Sequence, residues 1–306
     1  MRTDRLNVTI KALSILLVIS IGIIAVIAFV NKNNTAFWHQ LYSSFGVAKE
    51  TTSGDDFISF LDVGQGDCAL LCSNGQSAII DTAASDYNSV ICKKLSSADV
   101  ASIDLMMLSH NHDDHYGSAK FIAERFLVNN LIIPNILNTD RNTSEIKTVM
   151  SKVLSDDGDC FTAVGGMNSK IGDINLMVLA YFSDEEEENN RSIFAMAEID
   201  GLKFLFTGDA EAEAERRLLK ENLNLDCDVL KAGHHGSKYS TTYELLDATT
   251  PQYAVISCGE GNQYSHPNDE LLDRLNDRNI KTYRTDKQGD ITFNIDNGNI
   301  NVITSK

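Results

Sequence analysis

Six of the seven histidines in this 306-residue chain fall at three places, and their placement limits the folds open to it. His110, His112 and His115 lie in SHNHDDHYGS (109–118), His234 and His235 in DVLKAGHHGSKYS (228–240), and His266 in YSHP; only His39 stands apart. The first two groups follow short apolar runs, LMMLS (105–109) and DVLK (228–231), and a third run, KFLFT (203–207), ends in Gly208-Asp209. Buried strands that end in ligand-type side chains belong to α/β architecture, where sites form beyond the carboxyl ends of strands. Histidines placed for solvent contact or for packing have no reason to bunch in this way.

The rest of the sequence supports that class. Further strand-like runs are FISFLD (57–62), CALLC (68–72), SAIID (77–81), LIIP (131–134), INLMVLA (174–180), IFAMAEI (193–199), YAVIS (253–257) and DITFNI (290–295). Helical patterns cover about 86–97, 117–127, 141–155, 210–221 and 268–278. Asp200-Gly201, between IFAMAEI and KFLFT, predicts a two-residue type I′ hairpin. Hairpins mixed with strand–helix units call for antiparallel as well as parallel pairing, with helices covering the sheets. The six cysteines show no CxxC pair; Cys68 and Cys72 share a strand face and are expected as small buried residues without a disulfide.

H-x-H-x-D-H on a strand-to-helix turn carries the chemistry. Alternate residues His110 and His112 point one way, and Asp114 and His115 swing to a neighbouring position. Two imidazoles are thus offered to one metal, and a carboxylate with an imidazole to a second. Such donors, without thiolate, suit Zn²⁺, Mn²⁺ or Fe. The bland alternative is a loop of surface histidines. Asp209 is either a ligand or the N-cap of the following helix. The acidic run Asp184–Glu188 reads as a solvated loop.

The N-terminal part is of another kind. Ala12 to Val30 is 19 residues without a charge, preceded by Arg2, Arg5 and Lys11. A stretch of about 20 apolar residues spans a bilayer, and the flanking charges put the N-terminus in the cytoplasm. A signal peptide cleaved near Val26-Ile27-Ala28 is the rival; both readings export the domain. The expected division is 1–31 stub and anchor, 32–55 linker and 56–306 main domain, membrane-anchored and extracytoplasmic, or secreted if cleaved. The net charge of −17 disfavours an extended nucleic-acid interface. A phosphodiester would have to bind through local metal ions or lysines.

H-x-H-x-D-H, then TGD, then a histidine after a strand is similar to the order in the metallo-β-lactamase superfamily. FLDVGQGDCALL (60–71), AIIDT (78–82), NNRS (189–192), KFLFTGD (203–209), LKAGHHGSKYS (230–240) and NQYSHP (262–267) resemble the hydrolase domain of ComEC-type DNA-uptake proteins. The resemblance covers about 56–306. It implies an α/β (α+β) fold, a four-layer αββα sandwich with the site at one edge between the sheets.

The resemblance also implies two divalent ions, Zn or Mn. His110 and His112 would hold the first, Asp114, His115 and most readily His234 the second, and Asp209 would bridge them. Asp81 would orient a ligand, and water activated between the ions would be the nucleophile. Lys231 is a candidate for phosphate charge, and His235 and His266 either protonate the leaving oxygen or fill a structural hydrogen-bonding role. Together with Asp114 and Asp209 they make up the expected catalytic group. Asn189 and Asn190 are candidate substrate contacts or weak metal ligands, and Ser237 and Ser240 candidate substrate contacts.

Two departures stand out. No histidine lies between His115 and His234, where the superfamily commonly supplies one, and NNRS fills that place. One predicted span is also too little for the multi-helix channel of ComEC-type proteins. A separate channel protein is compatible with the sequence, although nothing in it requires one. The expected activity is phosphodiester cleavage, with DNA a candidate substrate. The alternatives are a small exported substrate (cell-wall phosphodiester, phosphocholine ester or lactone) and a non-catalytic binding domain.

Overall fold

The computed structural model describes residues 56–135, 143–185 and 187–306; the predicted span Ala12–Val30 and the linker lie outside the described residues. No helix among the described residues is long and apolar enough to cross a membrane. The strands in chain order begin with β1 (Asp56–Phe60), β2 (Ala69–Ser73), β3 (Gln76–Ile80), β4 (Ser102–Ile103), β5 (Leu105–Met107) and β6 (Leu127–Val128). Next come β7 (Asn130–Ile133), β8 (Asp159–Thr162), β9 (Asn168–Ile171), β10 (Ile174–Ala180), β11 (Phe194–Ile199) and β12 (Leu202–Phe206). The last are β13 (Val229–Lys231), β14 (Tyr253–Ile256), β15 (Lys281–Arg284), β16 (Ile291–Asp296) and β17 (Asn299–Thr304). The helices are α1 (Asn88–Ser97), α2 (Asp113–Tyr116), α3 (Ala119–Ala123), α4 (Thr143–Ser155), α5 (Ala212–Lys220), α6 (Tyr243–Thr249), α7 (Asp269–Asp277) and α8 (Thr285–Gln288).

Two mixed sheets result. The first runs β17-β16-β1-β2-β3-β5-β7-β8 and the second β15-β14-β13-β12-β11-β10-β9, while β4 and β6 pair separately. Pairing in the first changes from antiparallel to parallel at β3–β5, and in the second at β12–β13. Asp200 and Gly201 join β11 to β12 with φ of 51° and 79°, the expected type I′ geometry.

Side-chain alternation along the strands divides the apolar residues into three cores. Ala69 and Leu71 of β2 meet Phe204 and Phe206 of β12 between the sheets. Leu70 faces the other way, toward Ile91 and Leu95 of α1 and Val149 and Val153 of α4. Leu205 faces Leu218 of α5, Leu245 of α6 and Leu271 of α7. Helix, sheet, sheet, helix is the four-layer arrangement expected. Between the sheets, Phe293 packs edge-on against Phe60 and Phe204, with ring centroids 6.0 and 5.6 Å apart. All six cysteines are free; of the two expected as buried, Cys68 is buried and Cys72 half-buried. The helix expected over 117–127 differs: α2 already begins at Asp113, inside the histidine motif, and α3 is a separate short piece.

Candidate metal centre

The first sheet builds its half of the site on Asp81, which follows β3 with φ 58°. Its carboxylate accepts hydrogen bonds from the Ser109 backbone N–H (2.6 Å) and Oγ (2.7 Å), and lies 2.8 Å from His115 Nδ1. With Nδ1 so engaged, His115 presents Nε2 to Asp209 Oδ1 at 3.2 Å. Ser109 Oγ is also 3.1 Å from His110 Nδ1, and His110 Nε2 then faces His112 Nδ1 at 3.0 Å. The motif thus pairs His110 with His112, and the His115 ring lies 4.2 Å from that of His110.

The second sheet contributes Asp209 and the double histidine. Gly208 has φ 52°, and a Cβ there would meet Ser192 at 2.8 Å, so the chain turns here only without a side chain. Ser192 Oγ accepts from the Asp209 N–H at 3.0 Å. Asp209 is not the helix cap, because α5 begins at Ala212 behind Glu211. After β13 both histidines adopt left-handed backbone, φ 48° at His234 and 53° at His235. Each such residue costs about 1–3 kcal/mol and persists only where its surroundings enforce it. Here His234 N–H donates to Gly208 O at 3.1 Å and Gly233 N–H to Thr241 Oγ1 at 2.9 Å.

That turn sends the two rings in different directions. His235 is buried, its Nε2 3.3 Å from both Asp114 Oδ2 and Asp209 Oδ2. His234 stays at the rim, 23% exposed, with Nδ1 3.2 Å from Glu211 and Nε2 3.8 Å from Asp209. The central place expected for His234 therefore belongs to His235.

The donor set fits a divalent cation. Ligand atoms of Asp67, His115, Asp209 and His235, all buried, lie within 4.8 Å of one another. Asp209 Oδ1 and the Nε2 atoms of His115 and His235 are buried without an aligned hydrogen bond in the protein. An unsatisfied buried polar atom costs about 1–3 kcal/mol, so several converging on one point mark a place for an ion. Electrostatics agrees. Burial works against ionising Asp209, but His115 and His235 overcome it and hold the carboxyl well below its usual range. Burial likewise opposes charge on His115 and His235, and Asp209, with Asp81 or Asp67, pushes both well above the usual imidazole range. His110, buried and beside His115, is driven well below it.

An open cleft of about 380 Å³ leads to this centre, walled by His112, Asp114, Asn189, His234 and His266, with Asp209 and His235 also lining it. His266 is held down at about 4 by burial and by His234 and His235. Four expected contacts do not line the cleft. Lys231 is buried, its Nζ 2.8 Å from Asp67 and bonded to Ala232 O. Asn190 is buried and accepts from the Glu211 N–H at 2.9 Å. Ser237, also buried, accepts from the Tyr239 N–H, and Ser240 is fully enclosed. Most buried polar atoms are satisfied by nearby backbone, and for Lys231, Asn190 and Ser237 that need turns the side chain away from the cleft.

Sequence reasoning passed over Asp67, whose Oδ1 is 3.2 Å from His235 Nδ1, and Glu188, whose Oε2 is 3.1 Å from His112 Nε2. Gln65 and Tyr264 of the cleft were also missed. The signals available were the glycine-flanked VGQGD after a strand and the acidic run abutting NNRS. Asp184 and Glu185 of that run pair with Arg217, so only part of it behaves as a solvated loop.

Imidazoles and carboxylates converging at one edge between two mixed sheets define a metal-dependent hydrolase. The chain belongs to the Metallo-beta-lactamase superfamily, whose profile matches residues 61–260. It is 29% identical to ComE operon protein 3 of Bacillus subtilis, over 80% of this chain and 34% of that protein. It is 28% identical to Competence protein ComA of Neisseria gonorrhoeae, over 79% of this chain and 33% of that protein. The chain thus spans about a third of the length of these relatives. Among solved structures, CmlA, a diiron beta-hydroxylase from Streptomyces venezuelae, matches with TM-score 0.56 and 15% identity, over 84% of this chain and 59% of that one. At that identity the likeness is one of fold.

Proposed function

We propose that the chain is a metal-dependent phosphodiesterase acting outside the membrane, with a polynucleotide as its substrate class. The observation that carries this reading is the cleft itself. Its lining has carboxylates, imidazoles and amides but, among the described residues, no lysine or arginine. A phosphodiester anion can bind there only where cations offset the carboxylates. Asp114, His115, Asp209 and His235 would hold one divalent ion, and His110, His112 and Asp209 the other. When bound, such ions neutralise the substrate and bring the pKa of water down to about 7.

The protein groups prepare the remainder. Asp81 and Ser109 fix the rings of His115 and His110 by hydrogen bonds. His266, neutral at pH 7, offers a ring N–H to a substrate oxygen, and Asn189 an amide. His235, buried against Asp114 and Asp209, is a ligand in this reading and not the proton donor first expected. The relative named a competence protein, together with the resemblance to the hydrolase domain of DNA-uptake proteins, favours DNA as the polymer.

The net charge of −17 favours the second reading, a small exported phosphodiester or lactone. Salt separates the two. Cleavage of single-stranded DNA should fall steeply between 50 and 200 mM salt if several phosphates displace counterions, while turnover of bis-p-nitrophenyl phosphate stays level. DNA cleavage that is absent, or indifferent to salt, would favour the small substrate.

A further inference from the structure

We infer that Asp67, locked in place by Lys231, is the positioning residue that aims His235 Nε2 into the metal centre. This rests on the reading of the site as a metal centre but not on the identity of the substrate. The loop carrying Asp67 is pressed against the histidine motif. Gly66 has φ 146°, and a Cβ on it would come within 2.6 Å of Asp114 O. The Asp67 N–H donates to that same oxygen at 3.1 Å, and Asp67 O accepts from the Ala83 N–H at 2.8 Å. The backbone of Asp67 is therefore tied on one side to Asp114 and on the other to the segment that follows Asp81.

Asp67 Oδ2 pairs with Lys231, while Oδ1 faces His235 without an aligned hydrogen bond. Oδ2 lies 2.8 Å from Lys231 Nζ, and Oδ1 lies 3.2 Å from His235 Nδ1. Ser257 O is also 3.2 Å from that nitrogen. With Ser257 O accepting from Nδ1 and the Asp67 carboxylate beside it, Nδ1 carries a hydrogen, and once the ring is neutral its lone pair is on Nε2. That atom faces Asp114 and Asp209.

His115 also has a carboxylate behind it, hydrogen-bonded in its case, with Asp81 at Nδ1 and Asp209 at Nε2. The centre is thus built from two carboxylate–imidazole pairs, one ring from each sheet. A carboxylate behind a ligating imidazole fixes its tautomer and orientation and raises its basicity. Lys231 supplies the counter-charge that makes a second buried carboxylate tolerable there. Its ammonium lies behind the imidazole and not in the cleft, so its part is to hold Asp67 and not to touch phosphate.

The test uses the whole chain and reads metal rather than turnover. In the Zn²⁺-loaded parent, long-range ¹⁵N NMR of the histidines should show His235 protonated at Nδ1 and ligating through Nε2; ligation through Nδ1 overturns the inference. The second arm is Asp67→Asn combined with Lys231→Met, which removes both charges of the buried pair and leaves neither uncompensated, a change folds tolerate. Chelator competition should show Zn²⁺ affinity reduced by about 10–100-fold. An affinity within twofold of the parent, with KM for bis-p-nitrophenyl phosphate raised instead, would return Lys231 to a substrate role and overturn the inference. A parent that takes up no metal would overturn the metal-centre reading itself, a result distinct from an indifferent variant.

Discussion

Asp209→Asn is the perturbation whose consequences follow most directly from the geometry. Four imidazole nitrogens approach the Asp209 oxygens: His115 at 3.2 Å, His235 at 3.3 Å, His234 at 3.8 Å and His110 at 4.0 Å. No other described carboxylate touches both the His110–His112 side and the His115–His235 side. Asparagine keeps the shape and removes the charge, so both halves of the centre lose their shared anion. Breaking a buried ion pair costs about 3–5 kcal/mol when the partner must stay charged. His115 and His235 escape most of that cost by releasing their protons, so the fold should survive. The catalytic loss should not be softened in the same way. Removing a group that stabilises the transition state costs on the order of 10²–10³ in kcat, or about 2.7–4 kcal/mol. The assay is initial rates on bis-p-nitrophenyl phosphate at saturating Mn²⁺ or Zn²⁺, with circular dichroism confirming the fold. A folded variant that keeps more than about a tenth of the parent kcat, against the ~10²-fold loss expected, would refute the central placement of Asp209.

Three further outcomes follow from the same geometry. On dialysis against a mild chelator, His235→Ala should lose the ion assigned to Asp114, His115 and Asp209 while His234→Ala retains it; the reverse would restore His234 to the centre. In the metal-free protein His115 and His235 are pushed well above the usual imidazole range and are charged at pH 7. Metal entry must expel those protons, so affinity rises with pH, and calorimetry in buffers of different ionisation enthalpy should show a release approaching about two protons per centre; no release would contradict the assigned ligands. Phe293→Ala, at a fully buried ring in contact with Phe60, Phe204, Tyr253 and Tyr283, should cost about 3–5 kcal/mol in urea unfolding, and a loss below about 1 kcal/mol would contradict the inter-sheet core.

Much of the fold was legible because buried strands advertise themselves. Every apolar run read as a strand is one, and the Asp200-Gly201 hairpin follows from its two residues alone. The longer strands that sequence reasoning missed are β8, β9, β15 and β17, which are the four edges of the two sheets. An edge strand has one neighbour and less burial, so DCFT, NSKI, KTYR and NINVIT carry polar residues where a central strand is apolar. The histidine clusters were legible for a similar reason: ligands at strand ends leave an abrupt change of chemistry. Which of His234 and His235 faces inward was not. That depends on two successive left-handed residues, a backbone state that the local sequence does not dictate for histidine. Lys231, Asn190, Ser237 and Ser240 were misplaced for one shared reason. Their polarity suggested a substrate, while all four are buried: Asn190 and Ser237 bond neighbouring backbone, Lys231 bonds backbone and Asp67, and Ser240 is enclosed.

The most direct test of the central claim is turnover by the whole chain after its metal content has been measured, with bis-p-nitrophenyl phosphate, single-stranded DNA and a lactone assayed in parallel. The account predicts phosphodiester hydrolysis that a chelator abolishes and added Zn²⁺ or Mn²⁺ restores. Lactone turnover without any phosphodiester turnover, in fully metal-loaded protein, would contradict it.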